Sequence, residues 1–78
     1  MVKGKEVARY YLPPGPQTYT VYRYMAQTDE GRRRRYTLVR TDAVEVDGSV
    51  QLVRTVLVTD LDKQTMTNYL KLIGVIGE

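Results

Sequence analysis

At 78 residues, with 12 basic and 9 acidic side chains and a net charge of +3, the chain has the size of one small domain, residues 1–78. It contains no cysteine and no histidine, which excludes disulfides, thiolate zinc sites and both Ser-His-Asp and Cys-His catalysis. The commonest general base is therefore missing, and neither an enzyme nor a bound cofactor is expected.

Met1 to Glu6 is polar, carries Lys3 and Lys5, and is expected to fray. It has no apolar segment of the secretory kind, and no run in the chain approaches the ~20 apolar residues of a membrane helix. A cytoplasmic location without membrane contact is expected. Val7 to Leu12 (VARYYL) is rich in β-formers and reads as a short edge strand, stopped by the rigid bend Pro13-Pro14-Gly15-Pro16.

Tyr19 to Ala26 alternates in the manner of a strand, and Thr28-Asp29-Glu30-Gly31 reads as a turn. A three-residue loop, Asp29 to Gly31, pairs Tyr24 with Tyr36, Tyr22 with Leu38 and Val21 with Val39. That register collects Tyr22, Tyr24, Tyr36 and Leu38 on one face, and Arg23, Arg33 and Arg35 with Tyr19, Met25 and Thr37 on the other. A one-residue slip exchanges the faces of one strand relative to its neighbour.

The returning strand runs from Arg32 to Val46, long enough to predict a bend near Thr41 to Ala43. Asp47-Gly48 is the strongest hairpin signal in the chain. A loop of Asp47 to Ser49 sets Val46 opposite Val50, Val44 opposite Leu52 and Asp42 opposite Arg54; a two-residue loop shifts every pair by one, and both remain open. Val50, Leu52, Val56 and Val58 share one face of the next strand. A helix over residues 60–73 follows, capped by Asp60 with Asp62 in its first turn. Leu61, Met66, Tyr69, Leu70 and Ile73 form its apolar stripe, and Gly74 or Gly77 ends it. The expected fold is α+β: a small antiparallel β-meander of three to four strands with one C-terminal helix packed on one face.

The four consecutive arginines, Arg32, Arg33, Arg34 and Arg35, are the most specific feature. Joined across the ladder by Arg23, and with Tyr19 as a stacking ring, they predict a nucleic-acid-binding surface that grips phosphate with little sequence preference. DNA and RNA, single-stranded and duplex, are equally compatible with it. The competing reading is a solvated edge, partly neutralised by Asp29 and Glu30, that discourages sheet aggregation. Seven tyrosines without phenylalanine or tryptophan serve either as stacking rings or as the boundary of a small core with hydroxyls in water.

Asp42, Glu45 and Asp47 lie close in sequence, as do Asp60 and Asp62; turn formation and helix capping explain Asp47 and Asp60, the spacing around Asp47-Gly48 lacks the ordered ligand series of a calcium loop, and no metal is expected. Leu72, Val75 and Ile76 exceed one helical stripe, which predicts either a homodimer through the C-terminal helix or a tail folded back over the sheet. The absence of Cys and His, a single Asn and the arginine-rich charge fit a thermophile.

Two functions follow: a nucleic-acid-binding protein acting as a homodimer, or a small interaction or structural protein, of viral or archaeal kind, without nucleic-acid binding. The strand-strand-strand-helix order is similar to that of Whirly-type and transcriptional-coactivator single-strand-binding domains. Those dimerise and hold nucleic acid on a basic sheet, so the resemblance implies the first function. It is one of element order, and no motif carries over a site residue.

Overall fold

The computed structural model describes residues 2–13, 15 and 17–77. Four strands, β1 (Lys5–Tyr11), β2 (Thr18–Thr28), β3 (Gly31–Val46) and β4 (Ser49–Leu61), form one antiparallel sheet in chain order, followed by α1 (Lys63–Leu72). This is the expected meander with a C-terminal helix. β1 begins at Lys5, so part of the polar N-terminus expected to fray is paired, Lys5 lying opposite Arg23. Of the proline bend, Pro14 and Pro16 lie outside the described residues.

Both hairpins close on two residues, and this corrects the register. Thr28 pairs with Gly31 around Asp29 and Glu30, and Gly31 takes the positive φ of 97°. The Thr28 hydroxyl accepts the Glu30 N–H at 3.1 Å and donates to the Gly31 carbonyl at 2.7 Å, tightening the turn. At the second turn Asp47 and Gly48 have φ values of 50° and 80°, the paired left-handed conformation that Asp-Gly favours in a two-residue hairpin. Consequently Tyr24 lies opposite Arg35 rather than Tyr36, Tyr22 opposite Thr37, and Val21 opposite Leu38. Likewise Val53 lies opposite Asp42, and Arg54 opposite Thr41.

Since successive side chains alternate, these pairs define two faces. The helix face carries Ala8, Tyr10, Tyr19, Val21, Tyr36 and Leu38, and α1 lays Met66 and Leu70 against it. Leu38 is 0% exposed, Met66 2% and Leu70 4%. The open face carries Thr20, Tyr22, Tyr24, Arg33, Arg35, Thr37 and Val39, and among the described residues no helix or further strand packs on it.

The predicted stripe of Leu61, Met66, Tyr69, Leu70 and Ile73 meets the core. The cap differs from expectation: Asp62 is the N-cap, its carboxylate accepting the Thr65 N–H at 2.7 Å. Asp60 instead lies within β4, one residue before its end, at a φ of 61°. Gly74, at φ 81°, closes the helix, and the N–H groups of Val75 and Ile76 both turn back to the Leu70 carbonyl. Val75 and Ile76 thus pack on the core, and of the three surplus apolar residues Leu72 alone stays exposed.

β2 ends opposite Thr41 and β4 opposite Tyr36, so β3 outruns its neighbours in both directions. Two two-stranded ribbons result. One, from Tyr24 through the first turn to Arg35, is basic. The other, Asp42–Val46 with Ser49–Val53, is apolar and acidic. Sixteen strand residues at about 3.3 Å each account for the long axis, which measures 50 Å against 30 and 15 Å.

Truncating Leu38 to alanine is expected to cost about 2–5 kcal/mol, because the site is closed on both sides. Urea unfolding should show most of the stability of so small a domain gone, with the m-value retained. The Thr65 N–H bond holds the Asp62 carboxyl below the ordinary aspartate range. Its folded-state pKa is therefore lower than its unfolded one, so its contribution is full above the unfolded value of ~3.9 and lost as pH falls through the folded value. Asp62→Ala should lower the melting temperature at neutral pH, and the gap from wild type should narrow in acid.

Candidate nucleic-acid interface

The arginine run straddles the basic ribbon. Arg33 and Arg35 are on the open face, opposite Ala26 and Tyr24; Arg32 and Arg34 are on the helix face with Arg23, opposite Gln27, Met25 and Tyr36. The single patch of Arg23, Arg33 and Arg35 expected from the three-residue loop is thus divided by the one-residue shift. Tyr19 is also placed otherwise than expected: half-buried, it packs against the helix-face core, opposite Arg40. Its ring is not a free stacking surface.

What the shift gathers instead is on the open face. Tyr22 and Tyr24 stand there beside Arg33 and Arg35, with Arg9 contributed by β1 and Arg54 by β4. Arg54 reaches across β3, donating a hydrogen bond to the Tyr22 hydroxyl with its guanidinium carbon 5.9 Å from the ring centre. Lys3 lies 5.5 Å from the centre of the Tyr24 ring. Gly4 permits this: at φ 101° its backbone passes so close to the Arg23 carbonyl that any side chain would collide. Each ring therefore already holds one cation against its π-surface.

Two adjoining depressions mark this face. One of ≈ 480 Å³ is lined by Lys3, Tyr24, Thr37, Val39, Arg54 and Val56 among others. The other, of ≈ 350 Å³, runs from Arg9 through Thr20 and Thr41 to Leu52. Arg54 borders both.

Carboxylates restrain some of these cations. Asp60 accepts the Tyr24 hydroxyl at 3.0 Å and lies 3.8 Å from the Arg35 Nε. Burial, with Asp60 adding to it, pushes the Tyr24 phenol above its ordinary pKa against the opposing hydrogen bond from Thr59. Arg9 pairs with Glu6 at 2.8 Å, and Arg40 with Asp42 at 3.0 Å. Among the described residues no carboxylate lies within ion-pair distance of Arg23, Arg32, Arg33, Arg34 or Arg54. No three acidic side chains converge among the described residues in a way that would hold a metal ion, and no helix there is long and apolar enough to cross a membrane.

Lys3, Arg9, Arg54, Tyr22 and Tyr24 were not legible as site residues. A signal existed for Arg54: the two-residue Asp47-Gly48 loop puts it opposite Thr41 and so on the face of Arg35.

Compared with protein-family models, with curated proteins and with solved structures, the chain matches none, so the likeness to Whirly-type domains rests on element order alone.

Proposed function

We propose that the protein binds nucleic acid, laying a single strand across the open face and gripping phosphate with the basic ribbon. The observation that carries this reading is the alternation, on the one uncovered sheet face, of cations with tyrosine rings around two adjoining depressions. Single-strand binders without sequence preference combine a basic track with aromatic platforms, each stacked base being worth about 1–3 kcal/mol. Arginine suits the phosphate contacts because its planar fork offers paired donors. Arg33 and Arg54, unpaired with carboxylates, are the phosphate contacts of this reading; Tyr22 and Tyr24 are the platforms, once Arg54 and Lys3 exchange ring for phosphate.

The two-stranded basic ribbon supports a second geometry, insertion into a duplex groove. A ribbon of this width fits a major groove about 12 Å across, while the four-stranded sheet does not.

Fluorescence anisotropy with labelled single-stranded DNA, RNA and duplex at several salt concentrations separates these. About three phosphate contacts, from Arg33, Arg54 and Lys3, predict a log–log salt slope near −2 for a single strand. Arg33→Ala and Arg54→Ala should each flatten the slope by roughly 0.7–1 and weaken all sequences alike. Preference for duplex would select the groove geometry; no binding to any probe at low salt would refute the function.

Asp60→Asn keeps a partner for the Tyr24 hydroxyl but removes the charge that restrains Arg35. It should tighten binding several-fold at low salt, and the gain should fade as salt rises.

A further inference from the structure

We infer that two copies of this chain associate edge to edge through β4, antiparallel about a two-fold axis near Val53, into one eight-stranded sheet. The inference is independent of nucleic-acid binding and moves the expected homodimer contact from the C-terminal helix to the sheet edge.

The two edges of the sheet differ in how they are guarded. β1 carries Lys5, Glu6 and Arg9, has a bulge between Glu6 and Ala8, and stops before Pro13. Those are the features by which natural edges resist pairing. β4 has none of them from Ser49 to Val56: no proline, no lysine, no bulge, and Arg54 as its sole charge. That arginine is drawn inward to Tyr22, away from the edge. Its first irregularity is Leu57, the extra residue between the pairs Val56–Val39 and Val58–Leu38.

The apolar ribbon cannot bury itself within its own chain. Val50 is 69% exposed, Leu52 71% and Val53 46%. A two-stranded ribbon is marginal in water unless further strands or another layer cover it. Among the described residues no such layer covers it: α1 packs on the Leu38 region, while the ribbon lies beyond the end of β2.

Backbone geometry makes the edge self-complementary. With a two-residue turn, Val46 and Ser49 are a hydrogen-bonded pair, so Ser49, Gln51, Val53 and Thr55 spend their backbone groups on β3. The groups of Val50, Leu52, Arg54 and Val56 point outward. An axis at Val53 sets Val50 opposite Val56 of the second copy and Leu52 opposite Arg54, using the whole regular stretch. It also keeps the two Arg54 residues from direct opposition, which an axis at Arg54 would impose. Such an axis is perpendicular to the sheet, so the open faces of both copies lie on one side. Only guarded β1 edges remain outside, and the assembly closes at two copies.

The chain has no cysteine, so single substitutions report cleanly. Val53 in a non-hydrogen-bonded pair would sit about 4.5 Å, Cα to Cα, from its symmetry mate, within disulfide reach. Val53→Cys under mild oxidation, free of nucleic acid, should therefore give a covalent dimer rapidly, whereas Leu72→Cys, on the exposed helix surface, should not. In sedimentation equilibrium the wild-type protein should show twice the chain mass. Leu52→Pro, which removes an outward N–H, and Leu52→Lys should both be monomeric while retaining the wild-type circular dichroism spectrum. If the proline variant unfolds, the lysine variant decides. A wild-type monomer up to about 1 mM, where even a weak pair would half-assemble, overturns the inference. So does faster cross-linking through Leu72→Cys, which would place the contact on the helix, or a dimer that survives Leu52→Lys.

Discussion

The placement of every side chain in this sheet depends on the hydrogen-bonded ladder of β3, and that ladder is set by two tight turns. Because a strand alternates with a period of two, a turn shorter by one residue sends a whole set of side chains to the opposite face. Gly31 and the Asp47-Gly48 pair supply the positive φ that lets each turn close on two residues. The consequence reaches well beyond the turns. Leu38 and Val21 become neighbours under the helix, while Arg35 and Tyr24 become neighbours in the open.

The fold class, the strand order and the helix stripe were legible because each rests on local signals: β-forming runs, turn residues, 3.6-residue periodicity. The division of the arginines was not, because it depends on a loop length that composition does not fix. Sorting tyrosine with leucine on one face selects a register one residue away from the observed one. Tyrosine is amphipathic, so Tyr22 and Tyr24 can sit on a solvated face with their hydroxyls bound to Arg54 and Asp60. Tyr19 takes the opposite course and gives its ring to the core. The helix cap is likewise open to two readings in the sequence. Either Asp60 or Asp62 can cap a helix, and β4 continuing to Leu61 leaves the role to Asp62.

A chain of this length has few apolar residues to spend, and their distribution is informative. The core is a single thin layer under α1, yet Val44, Val46, Val50, Leu52 and Val53 remain exposed on a ribbon outside that core. Removing them from water is worth roughly 25 cal/mol per Å² of apolar area, a gain open only to an intermolecular contact. The ribbon at the other end of β3 has the opposite character, with Arg32, Arg33 and Arg34 exposed. On the two proposed readings, one strand joins an end that meets an anionic ligand and an end that meets a second copy of the chain.

The open face adds a link between stability and the proposed binding. Val39 is 0% exposed although it points away from the helix. Its neighbours there are Tyr24, Thr37, Arg54 and Val56, amphipathic or small groups rather than a second layer. Arginine and lysine stems and tyrosine rings can cover apolar surface while their polar ends stay wet. Drawing Arg54 or Lys3 toward a phosphate would uncover part of that surface, and a base stacked on Tyr22 or Tyr24 would cover it again. On the proposed reading, phosphate contact and stacking are coupled: a bare anion offers the cations a partner but leaves Val39 less protected, whereas a nucleotide supplies charge and ring together. That coupling favours a strand carrying bases over a simple polyanion.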